Sequence, residues 1–454
     1  MADAWKLVVR FGIRDGCSVP SVRDAAREVS LRFVTGSRRL DFGIGDTLDA
    51  LAAHDIFPSE IGVDLLIVAA AIYCADTRIS RSAHSQNNWT REAEFNIPVS
   101  DVDRWIAVTP VLESAVQFLT GDRWRFSFRR RPDGFEQLIR SRARRRVLLD
   151  NISLLSGGLD SFIGAIDLLS QGADPLLVSH SWAGIASKHQ TLCIRALRRN
   201  FTRASVRHIR SRIGFPNDFI QGGGAENSER SRSFLFFSLA ACAASASSAS
   251  KSITLPENGL ITLSVPLDPL RIGALSTRTT HPFFVARYNE LLAQLGIRAT
   301  MVNPYRHKTK GEMVRECVHQ ECLTKNLATT ISCSSPTKGR WLGQSPGHCG
   351  YCVPCIIRRA SLRGLRPPDP TTYALVDLRA RPLASQKAEG EHVRSFQLAI
   401  RRLGGSPARA AVLIHAPGPL TDVRDEIDLF AKVYFRGMAE VQRLLDGVTT
   451  RPYV

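Results

Sequence analysis

Four cysteines late in the chain have the types and spacing of a metal site. Cys349, Cys352 and Cys355 are separated by two residues each, and Cys333 stands upstream of them. Thiolates at such intervals suit a tetrahedral Zn²⁺, and four protein ligands would close the site as a structural one. An iron–sulfur cluster or a sulfur-carrying pair is the alternative use of the same residues. Cys317 and Cys322 fall in a helical pattern, EMVRECVHQECL, while Cys17, Cys74, Cys193 and Cys242 read as packing residues.

A second stretch, LLSGGLDSF at 154–162, sets two glycines and two hydroxyls where an apolar run hands over to a helix. Glycines at such a turn let successive backbone N–H groups face one concavity, and the helix behind adds partial positive charge. The chemistry of that turn is phosphate binding. No Gly-Lys-Ser/Thr follows it, so it is not a Walker A loop, and the dinucleotide fingerprint is absent too. The glycine run at 222–224 reads as a flexible loop.

The surrounding elements must present that turn. From Val147 the texture alternates: VLLDNISLLS, DPLLVSHSW, ASVRHIRS and KSITLPENG read as strands. DSFIGAIDLLSQG, KHQTLCIRALRRN and RSRSFLFFSLAACAAS read as the helices between them. The rhythm predicts an α/β fold with a doubly wound parallel sheet, whose ligands sit beyond the carboxyl ends of the strands. Residues 1–148 are expected to form an α+β region, with strands at KLVVRFGI and WRFSFRR and a buried helix over Asp64 to Ala75. Residues 149–365 form the central domain, with the cysteine module at 333–355. Beyond the break RPPDPTTY, residues 366–454 read as a helical appendage.

Over 454 residues the net charge is +18, with 44% hydrophobic and 22% charged residues. This excludes a wholly disordered chain and favours an acidic partner such as a nucleotide, nucleic acid or acidic protein surface. The arginine-dense RSRARRR at 140–146 reads as a solvated face or a phosphate-tracking patch. The opening residues lack a signal-peptide pattern, and the longest apolar run carries Asp64. A cytoplasmic protein with no membrane partner is expected, its cysteines mostly reduced.

Ser-Gly-Gly-x-Asp-Ser after a strand resembles the pyrophosphate-binding PP-loop of the ATP pyrophosphatase superfamily, with its HUP-type sheet. Combined with SCSSP…HCGYCVPCIIRRASL, it resembles QueC, the 7-cyano-7-deazaguanine synthases with a four-cysteine zinc site. RSRSFLFFSLA and NPYRHKTKGEMV match two further family segments, and the resemblance spans roughly residues 149 to 363. The longer architecture, with PENG at 256–259 and TTHP at 279–282, looks more like the QueC-like proteins of bacterial Qat anti-phage systems. Where QueC has Asp-Tyr-Gly-Gln after its second strand, this chain has His180-Ser181-Trp182-Ala183-Gly184.

That resemblance implies an ATP-dependent carbon–nitrogen ligase. It would activate 7-carboxy-7-deazaguanine as an acyl-adenylate, release pyrophosphate and pass the acyl group to an amine. The cofactors would be ATP, Mg²⁺ and Zn²⁺, and the acceptor a partner-protein N-terminus from the same defence operon, with nucleic acid less favoured. Ser156, Gly157, Gly158 and Ser161 would hold pyrophosphate, with Leu159 and His180 completing the ATP set. Asp160 would cap the helix or hold Mg²⁺ at a solvent-facing cleft. Arg230 and Lys310 are expected as phosphate clamps, and Glu257, Asn258 and His281 as substrate readers. The alternatives are the plain synthase, a tRNA-modifying PP-loop enzyme, and an inactive nucleotide-sensing scaffold.

Overall fold

Two parallel sheets carry the fold. The computed structural model describes residues 4–17, 26–36, 38–86, 89–139, 151–181, 184–268, 278–337, 343 and 345–452, so the arginine stretch at 140–146 lies outside the described residues. The first sheet contains β1 (Ala4–Phe11), β2 (Arg27–Val34), β3 (Glu92–Val99) and β4 (Arg123–Arg130), in the order β2-β1-β3-β4. Every pairing in it is parallel. Helices α1 (Ile44–Ala52), α2 (Glu60–Arg78) and α3 (Arg81–His84) lead into β3, and α4 (Val102–Thr120) joins β3 to β4. The region expected as α+β is therefore α/β. β4 misleads because it is an edge strand: its residues alternate between exposed and buried, as in a half-buried antiparallel strand.

Helix α2 is apolar on nearly every side and is correspondingly buried, packed on α7 (Arg232–Ala244). Ser59 caps it by accepting from the Gly62 N–H at 3.2 Å.

The second sheet has the order β7-β6-β5-β8-β9, again all parallel. Its strands are β5 (Asn151–Leu154), β6 (Leu176–His180), β7 (Arg207–Ser211), β8 (Lys251–Thr254) and β9 (Ala299–Val302). Between them run α5 (Leu159–Ser170), α6 (Gly184–Asn200), α7, α8 (Gly259–Leu263) and α9 (Pro282–Gln294). The chain winds outward from β5 to β7, then returns to the other side of β5 for β8. That reversal opens a crevice past the carboxyl ends of β5 and β8.

After β9 come α10 (Lys310–Glu316), α11 (Gln320–Asn326) and α12 (Val353–Leu362), then α13 (Ala388–Leu403), α14 (Pro407–Leu413) and α15 (Ile427–Leu445). Two short strands, β10 (Leu383–Ala384) and β11 (Thr450–Arg451), pair in parallel. One continuous apolar core runs through both large sheets, from Trp5 to Met301. A second joins α13 and α15 to Leu260, Leu263, Ile356 and Ile357. Among the described residues no helix is long and apolar enough to cross a membrane.

Candidate anion and metal site

The 156–161 turn lies in that crevice. Gly157 takes φ of +87°, a left-handed conformation open to glycine, and a Cβ there would press within 3.2 Å of Gln190. Its carbonyl accepts the Ile331 N–H at 2.8 Å. The Ser156 hydroxyl accepts from the Gly158 N–H at 3.2 Å and lies 3.1 Å from the Ser161 hydroxyl. Gly158 is the N-cap of α5 and has no side chain of its own to cap the helix. Its positive end therefore faces the cavity through backbone amides, hydroxyls and little else. The cavity, about 250 Å³, is walled by this turn, Pro256, Glu257, Ile261, Lys310, Pro354 and residues 331–334.

Beside the turn lies a buried charge cluster. Asp160 is 4% exposed, not solvent-facing, and its carboxylate sits 2.9 Å from the Lys310 ammonium. The Asn258 side-chain amide donates to the same carboxylate at 2.6 Å, and the Asn258 N–H at 3.3 Å. Burial alone would push the Asp160 carboxyl up. The Lys310 charge, with hydrogen bonds from Glu257, Asn258 and Lys310, instead holds it below its ordinary value. Glu257 goes the other way: burial and the neighbouring Asp160 charge raise it well above the ordinary value, against a smaller pull from Lys310. The two carboxyl groups are thus pushed in opposite directions beside one lysine. The start of α5 next to them favours an anion in the cavity.

Asp160 does not cap α5, and its oxygens are engaged by Lys310 and Asn258.

The four cysteines converge. Cys333, Cys349, Cys352 and Cys355 bring their sulfurs within 4.8 Å of one another. The Cys333–Cys352 and Cys349–Cys355 sulfurs are 3.8 and 3.9 Å apart. A tetrahedron with Zn–S bonds of about 2.3 Å has edges of about 3.8 Å, so the set fits Zn²⁺. The Cys349 N–H points at the Cys333 sulfur and the Cys352 N–H at the Cys349 sulfur, at 3.5 and 3.3 Å. The module also walls the anion cavity: besides the Ile331–Gly157 bond, the Ser332 hydroxyl lies 3.5 Å from the Leu159 nitrogen. From α12, Arg358 holds this approach by donating to the Thr330 hydroxyl and the Leu327 carbonyl, at 2.7 and 2.9 Å.

Three expected site residues lie elsewhere. His180 ends β6 fully buried, its Nε2 3.0 Å from the Ile213 carbonyl oxygen and its ring edge-on to Tyr73. Burial and Arg232 push it down to about 4, so it is neutral. Arg230 faces the first sheet's helices, donating to the Thr120 carbonyl at 2.9 Å and lying over the Trp89 ring. His281 caps α9, its Nδ1 accepting the Phe283 N–H at 3.3 Å against the Phe118 ring. Asn258 does reach the site, but as a holder of Asp160 and the cap of α8. Reading the sequence missed Ile331 and Gln190, which carry no motif, and did not single out Ser332, although it stands in SCSSP. It also missed Thr309, although TKGE spells a capping box that the structure forms around Lys310.

Compared with protein-family models, curated proteins and solved structures, the chain matches none.

Proposed function

We propose that the chain is an ATP-dependent adenylating ligase of the QueC-like class, acting in the manner of the QueC-like protein (QatC) of Qat anti-phage systems. The observation that carries this reading is the glycine and serine turn 156–161 leading into α5 at the sheet's reversal point, with Lys310 ion-paired beside it. A cavity of about 250 Å³ suits a pyrophosphate group, and the rest of ATP would extend along the strand ends.

The turn's N–H groups and the Ser156 and Ser161 hydroxyls would hold the β- and γ-phosphates. A carboxylate oxygen of 7-carboxy-7-deazaguanine attacks the α-phosphorus, and the bond to the β-phosphate oxygen breaks to release pyrophosphate. Charge builds on that departing group, where preorganised donors act most strongly. An amine nitrogen then attacks the acyl carbon, AMP leaves, and the amine's surplus proton is lost to give an amide. A partner-protein α-amine suits the acceptor role because its pKa of ~7.7–8.0 leaves a neutral fraction near pH 7.

The test incubates the chain with ATP, 7-carboxy-7-deazaguanine and each neighbouring gene product, reading nucleotides by chromatography and proteins by intact mass. AMP, pyrophosphate and a mass-shifted partner are expected. ADP and orthophosphate without AMP would overturn the adenylation. Free 7-cyano-7-deazaguanine with unmodified partners would select the plain synthase, and modification confined to added tRNA the RNA-modifying reading. ATP binding without turnover would leave a sensing scaffold.

A further inference from the structure

The C-terminal helix α15 lies across both segments that carry the partners of Asp160. One is the start of α8, where Asn258 precedes Gly259. A Cβ on Gly259 would stand 2.8 Å from Val433 of α15, so helix and turn touch without room for a side chain. The other is the start of α10, whose first residue is Lys310. The two segments are joined by the Gly259 N–H donating to the Lys308 carbonyl at 2.8 Å.

At α10 the contact is polar and specific. Glu440 of α15 is buried, and its carboxylate accepts the Thr309 hydroxyl at 2.6 Å and the Gly311 N–H at 3.3 Å. It thus sits in the first turn of the helix that begins at Lys310, where a negative charge is favoured. Thr309 and Glu312 complete a capping box from the chain itself, at 3.0 and 2.8 Å. Arg436, also of α15, grips Glu312 at 2.6 Å and the His307 carbonyl at 2.9 Å. Glu426 takes Arg306 at 2.7 Å and His307 at 2.6 Å. Packing two helices together needs no buried carboxylate, and burying one carries a desolvation cost. Here it fixes the backbone on either side of one lysine.

We infer that Glu440 is a positioning residue, which through Thr309 and Gly311 holds Lys310 against Asp160 at the anion site. This rests on reading the 156–161 turn as the ATP site. It gives residues 366–454, which bring no reacting group to the cavity, a part in the chemistry.

The test compares Glu440→Ala, Glu440→Gln and Gly311→Ala with the wild type. In Gly311→Ala the new Cβ would stand 2.3 Å from the Glu440 carboxylate and displace it without removing it. Two readouts are taken on the full chain: kcat and KM for AMP formation, and acylation of Lys310 by acetic anhydride, read by peptide mass. Glu440→Ala should lower kcat by about 10²-fold, the size expected of a misplacement of about 1 Å, with a smaller change in KM. Lys310 should acylate at least tenfold faster in that variant. Glu440→Gln should bring both readouts most of the way back to the wild type, because its amide oxygen still accepts from Thr309. Gly311→Ala should resemble Glu440→Ala and decides the matter if the latter fails to fold. Lowered thermal stability with unchanged kcat and unchanged Lys310 acylation would overturn the inference. If the wild type makes no AMP, the proposed function falls, while the acylation comparison still decides whether Glu440 holds Lys310.

Discussion

Replacing Lys310 by methionine tests whether the charges at the cavity are what the geometry says. The ammonium and the Asp160 carboxylate are 2.9 Å apart, with side chains 7% and 6% exposed. Removing one member of a buried pair typically costs ~3–5 kcal/mol, because the other charge is left without compensation. Asn258 keeps its two hydrogen bonds to Asp160, so the lower end, about 3 kcal/mol at pH 7.5, is expected.

The sign of the pH dependence follows from the same contacts. In the wild type Asp160 is held below its unfolded value of ~3.9, so its contribution is present above that pH and is lost as the pH falls further. Without Lys310, burial dominates and the folded carboxyl rises above ~3.9. The cost of the substitution should then shrink as the pH falls from 7.5 toward 5. Urea unfolding of wild type and Lys310→Met at both pH values reads this directly, and the zinc contribution is common to both proteins. The double variant Asp160→Asn/Lys310→Met should regain about 2 kcal/mol of stability without regaining AMP formation, since replacing both partners of a buried pair is often nearly neutral. A cost below about 1 kcal/mol that is the same at both pH values would refute an ionised Asp160–Lys310 pair.

Metal analysis should give one zinc per chain, and Cys352→Ser should impair folding before catalysis, since structural zinc sites are worth ~10–16 kcal/mol of apparent binding energy. Iron with visible absorption, or a stable and active Cys352→Ser protein without zinc, would contradict this. Arg230→Met should lower stability by about 2 kcal/mol, through loss of its charged hydrogen bond to Thr120, and leave the KM for ATP unchanged. A tenfold rise in that KM would mean that Arg230 reaches the nucleotide after all.

The central sheet was legible because each strand-to-helix handover carries its own signal: an apolar run, a glycine or hydroxyl turn, then a helical period. The cysteine set was legible for a similar reason, since ligand spacing is local. The first sheet was not. Its parallel pairing joins β1 to β3 across some eighty residues, and its edge strands β2 and β4 each expose part of their length, which imitates a different sheet class. EMVRECVHQECL reads as one helix, but the chain breaks at Cys317, and Asp167 of α5 accepts the Val318 N–H at 2.9 Å. His180, Arg230 and His281 were expected at the site from the family segments in which they stand. Their directions depend on Ile213, Thr120 and Phe118, which no local pattern names.

The regions on either side of the second sheet are tied into it. α2 packs on α7 and α4 on α9, so the first region covers one helical face of the second sheet. Asp76 of α2, fully buried, accepts the Ser231 N–H just before α7 at 2.7 Å, and meets Arg91 and Arg81 at 2.6 and 3.1 Å. Burial opposes its charge, yet the two arginines and that N–H hold its carboxyl below the ordinary value, which makes the junction a charged, fully paired one. On the other flank Glu440 and Arg436 secure the segment that carries Lys310. Both flanks thus contact the elements around the 156–161 turn. Beside α13 and α15 lies a cavity of about 1210 Å³ with Arg363, Arg401 and Arg443 in its walls. Glu440 lines that same cavity, so its far side abuts the helix that fixes Lys310.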